Sequence, residues 1–509
     1  MKTIKRSIAF VLAMILTLAM SVTVFAEGEG AKKTFTITVN EAKAGHTYEA
    51  YQILKGDLSK SQTTLSNIEW GTGIQKDKQK DLDPSENARH YAEETLSTLN
   101  SSDKIKAEAQ KIASALSNTV AGSVSVTQDN AKTEITGLEP GYYLIKDKDG
   151  SLTVDEENKE AKAYTEYILN IVADTTITPK TDVPSVVKKV KDTNDTTGET
   201  TGWQDSADYD IGDDVPFQLT ATLPNNIESY KTYFLKFNDT LSEGLDYNND
   251  AVIKLGDQDV TKSFTPSYDA TAKTLTFTCD DIKAFGAKNS DKIVVEYTAK
   301  LNEKAVEKGA DGSTNTVYLD FSNNPNIGGE GDRGKTPEDI VIVFTYKLTV
   351  NKVEMVGEEK KPLTGAEFSL FKKVKVNGKD ELELVEVKKI LSTNAEGTEF
   401  GFAGLDDGTY VLRETKTPDG YNSIEDQTFT ISAKHDENSD DYPKLTELTG
   451  DKIIKLVIPK KGELIADVIN NKGSVLPSTG GAGRVAIYVI GAILVLGGGI
   501  VLVTKKRVR

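Results

Sequence analysis

Runs of alternating apolar and polar residues recur along most of the chain, and a period of two predicts β-strands. In the first third such runs cover residues 33–39, 48–54, 141–145 and 167–173. Thr, Val, Ile and Tyr recur within the runs, whereas Asp, Asn and Gly lie between them, as short strands joined by tight turns require. The pattern therefore predicts a mainly β protein.

One stretch departs from this alternation. Residues 85–117 are rich in Ala, Glu, Lys and Leu, which favour helices. Ser85 and Asp103 are suitable N-caps, so we predict one or two helices there. After residue 180 the alternation is strong again and favours immunoglobulin-like β-sandwiches. The predicted fold class is thus tandem immunoglobulin-like β-sandwich domains, the first with a helical insertion.

An apolar segment lies near each end of the chain. Three basic residues among the first six precede a mostly apolar stretch at 8–24, which predicts a secretory signal peptide at 1–26, removed after Ala26. The alternative is a retained N-terminal span. Near the other end, residues 485–503 carry no charge and are long enough to cross a bilayer as a transmembrane helix. The basic tail at 504–509 should stay cytoplasmic, which places the rest outside.

Composition narrows the class of protein further. The formal net charge is −17, which argues against nucleic-acid binding. The chain has one cysteine, Cys279, so no intramolecular disulfide can form. Cys279 lies in a strand-like run at 274–279, and we predict a buried, unreactive thiol. Stability outside the cell must therefore come from something other than disulfides.

A pentapeptide stands just before the C-terminal span. It consists of Leu476, Pro477, Ser478, Thr479 and Gly480. Together with the span and the basic tail, it resembles the cell-wall sorting signal read by sortases. The resemblance implies that a cysteine transpeptidase cleaves between Thr479 and Gly480 and passes the Thr479 acyl group to an amine. The alternative is a plain membrane anchor with an accidental match.

The remaining chain resembles the backbone pilins of Gram-positive bacteria. Residues 184–192, 237–245 and 315–325 are similar to the middle domain of major pilins. Residues 346–353 and 408–421 are similar to the small collagen-adhesin B-type domain. We predict these divisions: signal peptide 1–26, N-terminal domain 27–179, middle domain 180–345, C-terminal domain 346–473 and sorting signal 474–509.

The resemblance implies an internal isopeptide bond in each of the last two domains. A buried amine and a buried carboxylic acid both tend to neutral forms, and the amine can then attack an Asn side chain and release ammonia. In these families the Lys lies in the first strand, the Asn in the last, and an acid between them. The implied sets are Lys188, Asp239 and Asn315, and Lys352, Glu414 and Asn470. Lys347 and Asn471 are alternatives in the second set, and ordinary surface residues are the alternative to both sets.

A further lysine is predicted to link subunits. Residues 172–180 end in Thr178-Pro179-Lys180 and resemble the pilin motif Val-x-Val-Tyr-Pro-Lys, with Thr178 in the Tyr position. The residue before a proline is extended, so Lys180 should stand on an exposed linker. Lys460, which follows Pro459, is the rival.

Other candidate sites are weaker. The three histidines, His46, His90 and His435, stand in unrelated contexts, and we predict that each is a surface residue. Residues 147–150 read Asp-Lys-Asp-Gly, which we interpret as a hairpin turn and not a calcium loop. We predict no enzyme activity beyond self-crosslinking, no cofactor and no metal.

The resemblance implies a shaft subunit of a surface pilus, secreted and attached covalently to the cell wall. The implied partners are a sortase, other copies of the chain, accessory pilins, peptidoglycan and a host surface or matrix. The alternative is a monomeric wall-anchored adhesin or a minor pilin, which needs no linker lysine.

Overall fold

A computed structural model describes residues 34–473 except 59–64, 130–131, 153–161, 166, 172–173, 180–181, 328–332, 377–381, 388–392 and 440. The predicted signal peptide, Lys180, the sorting pentapeptide and the predicted C-terminal span lie outside the described residues. Within the described ranges, no helix is long and apolar enough to cross a membrane. The prediction of a mainly β protein is confirmed, and three successive units each form their own sheets.

The first unit combines strands with a helical segment. Its strands are β1 (Phe35–Val39), β2 (Thr47–Leu58), β3 (Leu65–Trp70), β4 (Gly122–Ser125), β5 (Thr133–Leu138), β6 (Gly141–Asp147), β7 (Ile168–Ile171) and β8 (Thr175–Ile177). The helical segment holds α1 (Gln79–Leu82), α2 (Ala88–His90), a π-helical turn (Tyr91–Thr95) and α3 (Ser102–Ala113). The Ser101 hydroxyl caps α3 by accepting from the backbone N–H of Lys104. The predicted insertion is therefore present between β3 and β4.

Two strand predictions in this unit need correction. The strand predicted at 167–173 is present as the shorter β7, but it is not the final strand of the unit, because β8 follows it and pairs in parallel with β1. The Asp-Gly turn is present, since the Ser151 N–H donates to the Lys148 carbonyl at 3.1 Å. It does not form a hairpin, because β6 pairs with β7, which begins only at Ile168.

The second unit is a two-sheet sandwich. Its strands are β9 (Ser185–Val190), β10 (Thr193–Asn194), β11 (Glu199–Thr200), β12 (Ser206–Asp208), β13 (Asp214–Thr222), β14 (Leu235–Leu241), β15 (Leu245–Tyr247), β16 (Val252–Leu255), β17 (Gln258–Asp259), β18 (Thr265–Asp269), β19 (Thr274–Cys279), β20 (Lys292–Leu301), β21 (Ser313–Ser322), β22 (Arg333–Lys335) and β23 (Asp339–Phe344). One sheet follows the order β17-β16-β20-β13-β9, and the other follows β12-β23-β21-β14-β19-β18.

Alternate residues of both sheets fill the core of this sandwich. Phe217 and Leu219 of β13 meet Phe237 of β14 and Leu319 of β21 in one buried cluster. Cys279 at the end of β19 belongs to the same cluster and is 2% exposed, as predicted. Burial raises the pKa of its thiol to about 11, so the thiolate that would react is scarce.

The third unit is a smaller two-sheet sandwich. Its strands are β24 (Tyr346–Val356), β25 (Glu359–Pro362), β26 (Glu367–Lys375), β27 (Leu382–Glu386), β28 (Glu399–Leu405), β29 (Gly408–Lys416), β30 (Gln427–His435), β31 (Leu445–Gly450), β32 (Ile454–Ile458) and β33 (Glu463–Asn470). The first strand, β24, and the last, β33, are parallel neighbours. A short helical turn, Pro459–Lys461, joins β32 to β33.

The second and third units join through a continuous extended segment. Only Thr345 separates β23 from β24, and Ile342 and Phe344 of β23 pack into the core of the third unit. A hydrogen bond from the Ile211 N–H to the Gly404 carbonyl, at 3.0 Å, adds to the contact. This junction therefore shares core residues and does not act as a loose linker.

Candidate internal crosslink sites

Lys188 is fully buried in the middle of the second unit. The burial of Val186, Lys188 and Val190 alternates with that of their neighbours on β9, so the apolar period of the strand carries the lysine inward. Lys188 is 0% exposed, as are Asp239 and Asn315. The three predicted residues therefore share one buried site between the two sheets.

The groups in this site contact one another through short hydrogen bonds. Lys188 Nζ donates to Asp239 Oδ1 at 2.5 Å, within a fully buried ion pair. Asn315 Nδ2 donates at 2.8 Å to the hydroxyl of Tyr297, a residue that sequence reasoning missed. Asn315 Oδ1 has no hydrogen-bond partner among the described residues. The carbonyl end of the Asn amide is thus desolvated without a donor, which raises its energy.

The third unit holds the second predicted set. Lys352 Nζ donates to Asn470 Oδ1 and lies 3.7 Å from Glu414 Oε1. Asn470 Nδ2 donates to both Glu414 oxygens, at 2.9 and 3.2 Å. Lys352 and the Glu414 side chain are 0% exposed. Amine, amide and acid therefore meet directly, and Thr417 Oγ1 orients Glu414 through a 3.0 Å hydrogen bond.

The alternatives for these sets lie at the surface. The Lys347 side chain is 36% exposed and pairs with Glu463 at 3.2 Å. Asn471, which follows β33, is exposed. In the second unit, the neighbouring Lys189 points away from Asp239 and pairs with Asp205. Only Lys188 and Lys352 of these lysines meet an Asn and an acid in a buried site.

Burial changes both amines in the same direction. It lowers the pKa of Lys188 to about 8, because desolvation of the ammonium outweighs the opposing charge of Asp239. It lowers the pKa of Lys352 to about 8 for the same reason, against the charge of Glu414. A neutral amine is the form that can attack a carbonyl carbon. Both sites are thus arranged for amide exchange between a lysine and an asparagine.

One expectation about strand order needs correction. In the third unit, Lys352 and Asn470 lie on the first and last strands, as expected. In the second unit Asn315 lies on β21 and not on the last strand, because β22 and β23 follow it in the same sheet. The last strand contributes Asp339, whose carboxylate accepts from the Lys188 backbone N–H at 2.6 Å.

A third buried lysine has a different environment. Lys372, at the junction of the second and third units, pairs with Asp195, Asp210 and Asp406 at 2.6–3.1 Å. Burial alone would lower the pKa of Lys372, but the three carboxylates raise it well above its usual value. Lys372 therefore stays an ammonium and serves as an ionic contact between units, unlike Lys188.

The prediction that all three histidines lie at the surface is wrong for two of them. His46 is 3% exposed and pairs with Asp147 at 2.8 Å. The His435 side chain is 7% exposed and lies 3.4 Å from Asp192 and 3.7 Å from Asp208. Only His90, at 57%, is at the surface. Partners far along the chain bury the other two, and no local pattern reveals them.

The environment of His435 predicts a pH-dependent contribution to stability. Burial alone would lower the pKa of His435, but the nearby carboxylates of Asp192 and Asp208 raise it to about 10. The folded pKa exceeds the unfolded value near 6.5, so the contribution is complete below about pH 6.5 and is lost as pH rises through about 10. His435→Gln should cost about 3 kcal/mol or more at pH 6.

Calorimetric unfolding at pH 6 and pH 10 measures this effect. The loss should be clearly smaller at pH 10. His90→Gln, at an exposed position, is the control and should cost little at either pH. An equal loss from His435→Gln at both pH values would contradict this assignment.

The residues predicted to link subunits are Lys180, its rival Lys460 and Thr479. Lys180 lies outside the described residues, between β8 and β9. The rival, Lys460, is exposed in the turn between the antiparallel strands β32 and β33. The backbone of this turn packs closely against the segment around Gly309 in the second unit. Thr479 and the rest of the sorting pentapeptide are also outside the described part of the chain.

Three family profiles match the sequence. Residues 346–442 match the SpaA prealbumin-like fold domain, and residues 211–325 match Gram-positive pilin backbone subunit 2, Cna-B-like domain. Residues 469–508 match the LPXTG cell wall anchor motif. The profiles fall on the third unit, the second unit and the C-terminal segment, which are the regions that resemble pilin domains and a sorting signal.

A curated relative and a solved structure point to the same class of protein as the profiles. The chain is 27% identical over 277 residues to the trypsin-resistant surface T6 protein of Streptococcus pyogenes serotype M6, an alignment over 50% of this chain and 46% of that relative. The chain therefore matches about half the length of this relative. The fold of the present chain is similar to that of the T6 backbone pilin of the same serotype, with a TM-score of 0.55 and 18% sequence identity. The match covers 87% of this chain and 100% of that pilin. On the profiles and this relative, the chain is similar to Gram-positive backbone pilins and carries a segment that matches the LPXTG cell wall anchor motif.

Proposed function

We propose that this protein is the structural subunit of a covalently polymerised pilus shaft on the surface of a Gram-positive cell. The observation that carries the proposal is a tandem pair of buried Lys–acid–Asn sites in a chain of the backbone-pilin class. Enzymes need a site open to substrate, whereas both of these sites are closed. Their chemistry can therefore act only on the chain itself.

Each buried site would form one internal isopeptide bond. The neutral amine of Lys352 attacks the side-chain carbon of Asn470, Glu414 supplies and recovers protons, and ammonia leaves. Lys188, Asn315 and Asp239 would do the same in the second unit. The contacts of the amine, the amide and the acid in each site support this proposal.

Such bonds would redirect tension along a shaft. The chain enters the third unit on β24, and Asn470 ends the unit on β33. A bond from Lys352 to Asn470 would carry force directly between these parallel strands and past the residues between them. In the second unit the force would pass from Lys188 to β21 and then along β23. The sandwiches could then resist extension without a disulfide.

The bonds between subunits would come from sortase. The enzyme would cleave between Thr479 and Gly480 and hold Thr479 as an acyl-enzyme. Lys180 of a neighbouring subunit would resolve it, which gives Thr479–Lys180 amide bonds from head to tail. The last subunit would be attached to peptidoglycan, and accessory pilins and a host surface would be further partners in adhesion.

The monomeric adhesin or minor pilin is the second candidate. It is favoured by the departure of residues 172–180 from the pilin motif at Thr178. This protein would use the same anchor and the same internal bonds, but Thr479 would be joined only to the wall.

Thr479→Ala in the sorting pentapeptide tests the proposed function. Sortase could not form the acyl-enzyme, so the chain should be lost from the wall fraction. It should be found only as a single, unlinked species. Immunoblots of wall extract and culture medium measure the distribution. Ser478→Ala, at the variable position of the pentapeptide, is the control and should keep the wall-linked ladder. A ladder that survives Thr479→Ala would contradict sortase linkage.

A further inference from the structure

Tyr297 occupies the centre of the second-unit site. It lies on β20 and is 3% exposed. Its hydroxyl oxygen accepts from Lys188 Nζ at 3.2 Å and from Asn315 Nδ2 at 2.8 Å, and it donates to Asp239 Oδ2 at 2.5 Å. One hydroxyl therefore touches the amine, the amide and the acid of the proposed reaction.

The sheet register explains why a bridge is needed here. Asp239 on β14 stands opposite Val317 on β21, and Asn315 stands opposite Leu241. Asp239 and Asn315 are therefore diagonal neighbours, about 7–8 Å apart at Cα. In the described part of the chain, no hydrogen bond joins the two side chains directly. Asp239 has a short side chain, and the Tyr297 hydroxyl fills the gap.

In the third unit the acid contacts the Asn side chain directly, without a tyrosine between them. Glu414 is one methylene longer than an aspartate, and it accepts directly from Asn470 Nδ2 at 2.9 Å. The amine there also donates directly to the Asn470 side chain. The two sites thus hold the same reacting groups but differ in how the acid reaches the amide.

We propose that Tyr297 is a catalytic residue of the second-unit crosslink, which relays a proton from Asp239 to the leaving nitrogen of Asn315. This inference rests on the proposed internal bond. The amine of Lys188 attacks the Asn315 side-chain carbon and yields a tetrahedral intermediate. The C–N bond to Nδ2 then breaks as Nδ2 takes the Tyr297 hydroxyl proton, and Tyr297 takes the proton of Asp239.

The proton balance closes without a further reactant. Asp239 first gains a proton from the Lys188 ammonium, and it later regains one from the attacking nitrogen. The net change is one amide formed, one amide broken and ammonia released. Burial and the charge of Asp239 raise the pKa of Tyr297 well above its usual value, so the hydroxyl keeps its proton between transfers.

The competing role for Tyr297 is packing alone. Its ring stacks on Phe217, with centroids 5.5 Å apart, and meets the edge of Tyr247 at 5.6 Å. Tyr297→Phe keeps these ring contacts and removes only the hydroxyl. Tyr247→Phe is a matched control, because the Tyr247 hydroxyl accepts from the Ala251 N–H and is outside the proposed relay.

Peptide masses of the full chain, sampled at intervals after synthesis, provide the test. Each bond lowers the mass by about 17 Da through loss of ammonia. In Tyr297→Phe the Lys188–Asn315 bond should form about 100-fold more slowly or not at all. The Lys352–Asn470 bond of the same molecules should form at the wild-type rate, and Tyr247→Phe should form both.

The outcomes separate this inference from the proposed function. A wild-type chain without the Lys188–Asn315 bond would contradict the proposed function itself. A Tyr297→Phe chain that forms this bond at the wild-type rate would overturn only the role of Tyr297. Lys188→Met cannot form the bond, so it shows whether the second unit stays folded without it. If Tyr297→Phe unfolds where Lys188→Met stays folded, Tyr297 serves packing and the inference is wrong.

Discussion

A chain carrying Lys180→Ala is expected to reach the cell wall only as a monomer, without the ladder of covalent multimers that the wild type should give. The reason is that the Thr479 acyl-enzyme then meets no subunit amine and passes only to peptidoglycan. Immunoblots of wall extract resolved by size measure the ladder directly. The expected effect is complete loss of every band above the monomer.

Two further variants test whether the amine of Lys180 itself links the subunits. Lys180→Arg keeps the positive charge but presents no nucleophilic amine at neutral pH, and it should also abolish the ladder. Lys460→Ala removes the rival, which is exposed in the turn before β33, and should leave the ladder intact. A normal ladder in Lys180→Ala would show that another lysine links the subunits, and its loss in Lys460→Ala would name that lysine.

Removal of both proposed internal bonds should have the second-largest effect. A chain carrying Lys188→Met and Lys352→Met should be heavier than its crosslinked counterpart by about 17 Da per bond, after correction for the substitutions. Each bond closes a loop of about 120 residues, which by analogy with disulfides contributes about 4–5 kcal/mol through the unfolded state. We expect the unfolding midpoints of both units to fall by about 10–20 °C.

Neighbouring lysines provide matched controls for this double variant. Lys189→Met and Lys347→Met change lysines on the same strands, but these side chains pair with Asp205 and Glu463 nearer the surface. Neither should change the number of bonds, and the midpoints should move little. Calorimetry with intact-mass measurement on the same samples records both effects. Unchanged midpoints in a double variant that has lost both bonds would contradict a stabilising role.

The residues of the two candidate crosslink sites were given by the family resemblance, and local sequence patterns support part of them. Alternation on β9 places Lys188 on the same face as Val190, and that face is buried. The residues around Glu414 carry a family pattern, and the strand that ends at Asn470 closes the last predicted domain. Local periodicity and motifs are sufficient where one strand determines which way a side chain points.

Tyr297 could not be recognised in the same way. It lies in a regular alternating strand, Lys292–Leu301, where a tyrosine facing the core is unremarkable by pattern. Its role depends on contacts with three other strands, and these are set by sheet order and register. A two-residue period says which face of the sheet a side chain occupies but not which residues it meets there.

The contacts between the second and third units could not be predicted from local sequence patterns either. His435 is buried because Asp192 and Asp208 of another unit lie against it. The parallel pairing of β8 with β1 likewise joins strands from opposite ends of the first unit. Contacts of this kind depend on how elements pack and leave little mark on the hydrophobic pattern.

The most direct test of the account is the mass of tryptic peptides from native wall extract. The proposed shaft function predicts a branched peptide that joins Thr479 to Lys180, together with losses of about 17 Da in the linked peptides of Lys188–Asn315 and Lys352–Asn470. Thr479 found only on peptidoglycan fragments would contradict it and identify a monomeric surface adhesin.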